Sequence, residues 1–108
     1  MTCKVLLTNA AERDMQLICD YFSANQQERR VEHFLVQMEK VFQRISQTPE
    51  AGSWPKELLE LGIRDYREIF SHPYRVVYFY EDNTANVILI ADARRDLDTL
   101  LQMRLLMS

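Results

Sequence analysis

Glycine and proline are scarce, at two and three among 108 residues. Disordered or linker-rich chains use more of both, so one ordered domain spanning residues 1–108 is expected. Cysteine is limited to Cys3 and Cys19, and histidine to His33 and His72. None forms a Cys-x-x-Cys pair, so a zinc site has almost no ligands to draw on, and neither a metal nor a cofactor is expected. Both cysteines read as small, reduced core residues. No apolar run approaches the ~18 residues of a membrane span. Val5-Leu6-Leu7 is too short for the core of a secretory leader, and a cytoplasmic location follows as the simplest expectation. A basic excess is missing too. Thirteen Lys and Arg face sixteen Asp and Glu, for a net charge of -3. Proteins that wrap nucleic acid usually present a basic face, so sequence-specific nucleic-acid binding is not expected and any positive site must be local.

What the chain does have is concentrated in the stretch from Tyr66 to Asp96. Two apolar runs, Tyr74 to Tyr80 and Val87 to Ala91, flank the polar break Glu81-Asp82-Asn83-Thr84. β-Branched and aromatic residues around turn formers predict a hairpin. Tyr74, Val76, Tyr78 and Tyr80 share one face, and Arg75, Val77 and Phe79 the other. Both faces are mostly apolar, which predicts a strand interior to its sheet. The hairpin ends in Arg94-Arg95-Asp96, two cations at the edge of a rigid scaffold.

The rest of the chain reads as support for that sheet. Cys3 to Thr8 predicts a first strand. Asn9, with Glu12 after it, resembles a capping box opening a helix from Ala10 to Ala24. Ala11, Met15, Ile18 and Phe22 form its buried face, with Leu17 and Tyr21 widening the stripe. A second helix is predicted over Gln27 to Gln47, its face built from Val31, Phe34, Leu35, Met38, Val41, Phe42 and Ile45, and Thr48-Pro49 stops it. The short break between the two predicts an antiparallel helical hairpin. Residues 49–56 form a loop, and Glu57 to Leu61 adds a helical turn. Within the loop, Trp54 is either an anchor packed on the core or an exposed contact for a partner. Arg64 to Ser71 alternates as a strand, and His72-Pro73 makes the bend into the next. Asp96 caps a terminal helix from Leu97 to about Met107, whose last residues, Leu105-Leu106-Met107, either dock on the core or cover a partner surface. The order is β-α-α-β-β-β-α. It predicts an α+β fold of two layers, the N-terminal strand and helical hairpin packed on a small antiparallel sheet.

Four pieces stand in order over nearly the whole chain. They are Leu7-Thr8 before the helical hairpin, Arg64-Asp65-Tyr66-Arg67-Glu68-Ile69, Pro73-Tyr74-Arg75-Val76-Val77-Tyr78, and Ala93-Arg94-Arg95-Asp96. Together they resemble the ParE/RelE superfamily, the toxins of type II toxin–antitoxin modules, many first noted as plasmid-stabilisation proteins. The resemblance implies a cognate antitoxin as partner and a hetero-oligomer with it, the antitoxin also supplying DNA binding. ParE-like members poison DNA gyrase by binding and carry no catalytic residues. RelE-like members cleave mRNA in the ribosomal A site with clustered basic residues, often with a tyrosine near the C-terminus. Here no tyrosine follows Tyr80 and no lysine follows Lys56. An acidic chain also approaches the ribosome against repulsion. The ParE branch is therefore expected.

The residues assigned to a partner or target are Arg67, Arg75, Arg94, Arg95 and Trp54. Under the nuclease alternative, Arg67, Arg75 and Arg95 would surround the phosphate. Each arginine also has an ordinary structural reading. Arg94 can pair with Asp92, Asp96 or Asp98 at a solvated strand end, and Arg75 with Glu68 or Asp65 across the sheet. Three classes follow: a gyrase-binding toxin, a ribosome-dependent endoribonuclease, and an inactive partner-binding homologue.

Overall fold

The computed structural model describes residues 2–106. Its elements are β1 (Lys4–Leu7), α1 (Asn9–Ala24), α2 (Glu28–Gln47), α3 (Lys56–Leu59), β2 (Arg67–Ser71), β3 (Tyr74–Glu81), β4 (Thr84–Asp92) and α4 (Leu97–Leu106). The strands form one sheet in the order β1-β4-β3-β2. β2, β3 and β4 run as an antiparallel meander, and β1 joins β4 in parallel, from Lys4 opposite Thr84 to Leu7 opposite Val87. β3 is interior, as its two apolar faces predict. Asp82 and Asn83 both take positive φ, the backbone of a tight two-residue hairpin turn.

The helical hairpin α1–α2 covers one face. Ala11, Phe34, Met38, Val41 and Ile45 pack there on Ile69, Tyr74, Val76, Tyr78, Val87 and Ile90. The second face is covered as well. Leu58 of α3 and Leu97 and Leu101 of α4 pack on Val77, Ile88, Leu89 and Ala91. The apolar side chains on both sides of β3 and β4 require this third, thinner layer, because an uncovered apolar face is costly in water. Leu105 joins it, while Leu106 stands exposed. Met107 lies outside the described residues.

Two local expectations change. The cap of α1 is Thr8, not Asn9: Thr8 has extended backbone, and its hydroxyl accepts from the Ala11 N–H at 3.2 Å. Glu12 is then the fourth helical residue, one place beyond capping-box register. Leu17 and Tyr21, expected to widen the buried stripe, are 60% and 65% exposed, and Leu35 of α2 is 45% exposed. The arc of α1 that faces the sheet is filled by Ala11, Met15, Ile18 and Phe22. Leu17 and Tyr21 lie just past it.

One irregularity decides what lies at the sheet's edge. Val77 pairs with Leu89 and Tyr78 with Val87, so Ile88 is an extra residue in β4. Val87 faces the helical hairpin, while both Ile88 and Leu89 face α4. Such a bulge reverses which backbone groups point outward. It falls where β1 ends, at Leu7 opposite Val87. Beyond it, among the described residues, the edge of β4 has no neighbouring strand.

Candidate partner-binding groove

The arginines singled out in the sequence occupy different environments. Arg75 sits on β3, on the α3 side of the sheet. Its guanidinium donates to both oxygens of Glu57 at 2.8 Å and to Glu68 at 2.6 and 2.7 Å. The three side chains are only 10–11% exposed. Such a charge is tolerable in a low-dielectric site only when paired, and here each of the three guanidinium nitrogens donates to a carboxylate. Its hydrogen bonds to Glu57 and then Glu68 hold Arg75 above the ordinary arginine range, and the Arg75 guanidinium holds Glu57 below the usual carboxylate range.

Arg67 lies on the opposite face, directly across from Tyr78. It donates to the backbone carbonyls of Glu50 and Gly52 at 3.0 and 2.9 Å. Those bonds clamp the loop before α3 against β2, where Ser53 and Glu68 exchange two backbone hydrogen bonds of 3.0 and 2.7 Å. Trp54 projects from this loop, 43% exposed, with Arg64 and Arg67 against its ring at 5.4 and 5.7 Å. It belongs to neither core cluster, so it is not an anchor packed on the core. The Tyr78 hydroxyl reaches under the loop to donate to the Pro49 carbonyl at 2.7 Å.

Arg94 and Arg95 stand at the other edge, in the turn after β4. Arg94 is almost wholly exposed and pairs with Asp92 at 2.9 and 3.0 Å. Its guanidinium holds Asp92 below the ordinary aspartate range. Arg95 is exposed, and its side chain meets no carboxylate among the described residues. Arg67, Arg75 and Arg95 thus form no common cation cluster: two lie on opposite faces of β2–β3, and the third follows the end of β4.

Arg94 and Arg95 line a groove of about 530 Å³ with Leu17, Ile18 and Tyr21 of α1, Ile90 and Asp92 of β4, Tyr74 of β3, and Arg30 of α2. Arg30 rests over the Phe22 ring at 5.9 Å and, like Arg95, has no carboxylate partner among the described residues. The α1 wall is apolar, and of the three rim cations Arg94 is matched by Asp92 while Arg30 and Arg95 are not, on a protein of net charge -3. Sequence reasoning missed Leu17, Tyr21 and Arg30 as site residues. Leu17 and Tyr21 sat at the limit of an apolar stripe, where periodicity cannot separate buried from exposed.

Asp14, which lines the groove, is paired with Arg104 of α4. The Asp14 carboxylate accepts from the Ile90 N–H at 3.0 Å and from Arg104 at 2.8 and 3.0 Å. Arg104 also donates to the Ile88 carbonyl at 2.6 Å. This partly buried pair ties α1 to α4 around the edge of β4. Among the described residues no group of three or more His, Cys, Asp or Glu side chains is placed to hold a metal. No helix among them is long and apolar enough to cross a membrane.

Comparison with known proteins fits the architecture. A family model described as the ParE toxin of the type II toxin–antitoxin system parDE matches residues 5–97. The chain belongs to the ParE toxin family. It is thus a toxin of the type II toxin–antitoxin class. No curated protein matches in sequence. Among solved structures, one described as the chromosomal ParDE TA system from P. aeruginosa shares the fold at a TM-score of 0.67 and 11% identity. The match covers 84% of this chain and 96% of the other. The ParE match runs from the second residue of β1 to the first residue of α4, and so includes every residue that lines the groove.

Proposed function

We propose that this ParE-family toxin acts by binding alone, inhibiting DNA gyrase through the groove between α1 and the end of β4. A cognate antitoxin neutralises it by filling the same groove. The observation that carries this reading is the pairing of exposed Leu17 and Tyr21 with the uncompensated cations Arg30 and Arg95. Aromatic and arginine side chains beside an apolar wall are the usual anchors of protein interfaces. Arg94 adds a third cation that can exchange Asp92 for a partner's carboxylate.

The alternative, ribosome-dependent mRNA cleavage, draws no comparable support. In-line cleavage needs a base, an acid and cations around one phosphate. Arg75 is committed to Glu57 and Glu68, and a phosphate arriving there would meet two carboxylates. Arg67 is committed to backbone carbonyls on the far side of the sheet.

The test is DNA supercoiling by purified gyrase with this protein and without antitoxin. Loss of supercoiling with accumulation of cleaved DNA, relieved by Arg95→Ala and by added antitoxin, is expected. Full supercoiling at high excess of folded toxin contradicts the gyrase reading. Cleavage of ribosome-bound mRNA in a parallel assay would replace it with the nuclease, and inactivity in both would leave the partner-binding homologue.

A further inference from the structure

Two tyrosines on the helical-hairpin side of β3 are buried, and they use their hydroxyls differently. Tyr78 donates to the Pro49 carbonyl at 2.7 Å. Tyr74 is 8% exposed, its ring edge-on to Phe34 at 4.9 Å between centroids. Its hydroxyl meets no hydrogen-bond partner among the described residues. No side-chain polar atom among them is both fully enclosed and unpaired, so this hydroxyl is the part of Tyr74 that reaches the surface. The ring serves the core, where phenylalanine would pack as well. The hydroxyl is a spare donor.

It opens where the groove meets a second cleft, of about 310 Å³, between α2 and the turn from β2 to β3. Arg30 and Tyr74 line both. The second cleft adds His33 and His72, the chain's two histidines, each with a ring N–H in either charge state. The carboxylates nearby are already matched. Asp92, directly across from Tyr74 on β4, pairs with Arg94, and Asp14 pairs with Arg104. Among the described residues no carboxylate lines the second cleft. Burial, and then Asp92, push the Tyr74 pKa up, so the hydroxyl stays protonated and can donate at neutral pH.

We infer that Tyr74 and Arg30 are the centre of a phosphate site, flanked by Arg95 and the two histidines, through which the toxin grips a phosphodiester of the DNA that its target holds. The donors come from α2, from β3 and its preceding turn, and from the turn after β4, so they converge from several directions. A tetrahedral phosphate accepts from several directions, whereas a planar carboxylate is matched by the fork of one guanidinium. Backbone contacts of this kind position without reading sequence, which a chain with no basic stripe can still make. An inhibitor that accumulates cleaved DNA acts where DNA and protein surfaces lie side by side, and the apolar α1 wall remains for the protein.

The use of the site on DNA rests on the gyrase reading above, but the site itself is tested without gyrase. A short fluorescent DNA duplex would be titrated with the full-length toxin at low salt and neutral pH, followed by anisotropy. Expected is saturable binding that Tyr74→Phe weakens about fivefold or more without changing its salt dependence. Arg30→Gln should weaken it as well and lower the slope of log affinity against log salt by about 1. Inorganic phosphate should compete, and acetate at equal ionic strength should not. Arg64→Gln, the same charge change at the β2 edge, should bind as the parent does. Absence of binding by the folded parent, full affinity in Tyr74→Phe, an equal loss in Arg64→Gln, or equal competition by acetate would each overturn the phosphate site. Supercoiling assays separate the two readings. If Tyr74→Phe and Arg30→Gln lose duplex affinity yet inhibit gyrase as the parent does, the grip on target DNA is overturned and the gyrase reading stands. If the parent leaves gyrase uninhibited, the gyrase reading and the grip on its DNA fall together, and the duplex titration still decides the site.

Discussion

The two edges of the sheet use the same residue types for opposite purposes. At the β2 edge the chain seals itself. Ser53 pairs with Glu68, Tyr78 and Arg67 clamp the loop from beneath, and Arg75 is ringed by two glutamates. At the β4 edge the seal stops at Leu7, and the ion pair of Asp14 with Arg104 covers only Ile88 and Ile90. Beyond that lie exposed apolar side chains and arginines with spare donors. An arginine bound to two buried carboxylates is structural; one beside an apolar wall with no anion is available to a partner. Charge alone does not separate these roles, but hydrogen-bond commitment does.

Breaking the sealed edge should have the largest effect. Arg75→Ala leaves Glu57 and Glu68 partly buried without a cation and is expected to cost about 3–5 kcal/mol in urea unfolding. A loss no larger than that of an exposed ion pair, under about 1 kcal/mol, would mean that the cluster is solvated in solution. Gly52→Ala probes the same edge sterically. A Cβ there would lie 2.6 Å from the Tyr78 hydroxyl and 2.9 Å from the Glu68 carbonyl. Since the carbonyl belongs to a strand backbone, the loop must shift, at about 1–3 kcal/mol, seen as a lower unfolding midpoint.

Acid sharpens the contrast. The folded-state pKa of Glu57 lies below its unfolded value, so its stabilisation is full above the unfolded pKa and is lost as pH falls through the folded one. Asp92 is shifted in the same direction, but its partner Arg94 is almost wholly exposed and the pair is screened. Stability measured from neutral pH down through the carboxylate range should therefore fall less steeply in Glu57→Gln than in the parent, while Asp92→Asn leaves the slope nearly unchanged. Equal slopes in all three would remove the β2 edge as a source of acid sensitivity.

Most of the fold was legible in the sequence because its signals are local. The period of α2, the hairpin turn at Asp82-Asn83 and the prolines at 49 and 73 each act over a few residues. The bulge at Ile88 left no trace, since Val87-Ile88-Leu89-Ile90-Ala91 is apolar throughout and alternation cannot be read from it. The open edge was hidden with it. The arginines of the site were visible as residues, but their commitments were not. Glu57 lies 18 positions from Arg75 and Asp14 lies 90 from Arg104, separations at which no sequence pattern operates. Trp54 could be placed on its loop, but its stacking with Arg64 and Arg67 depends on how Gly52 lets the loop approach β2.

The most direct test of the account compares the edges as binding surfaces. Purified antitoxin would be titrated calorimetrically into the parent toxin, into Tyr21→Ala/Arg95→Ala at the β4 edge, and into Trp54→Ala at the β2 edge. The β4 variant should unfold within about 0.5 kcal/mol of the parent, as exposed substitutions do, yet bind at least about tenfold more weakly, the scale of losing interface anchors. Trp54→Ala should bind as the parent does. Weakened binding by Trp54→Ala, with full affinity in the β4 variant, would place the partner on the sealed edge and contradict the account.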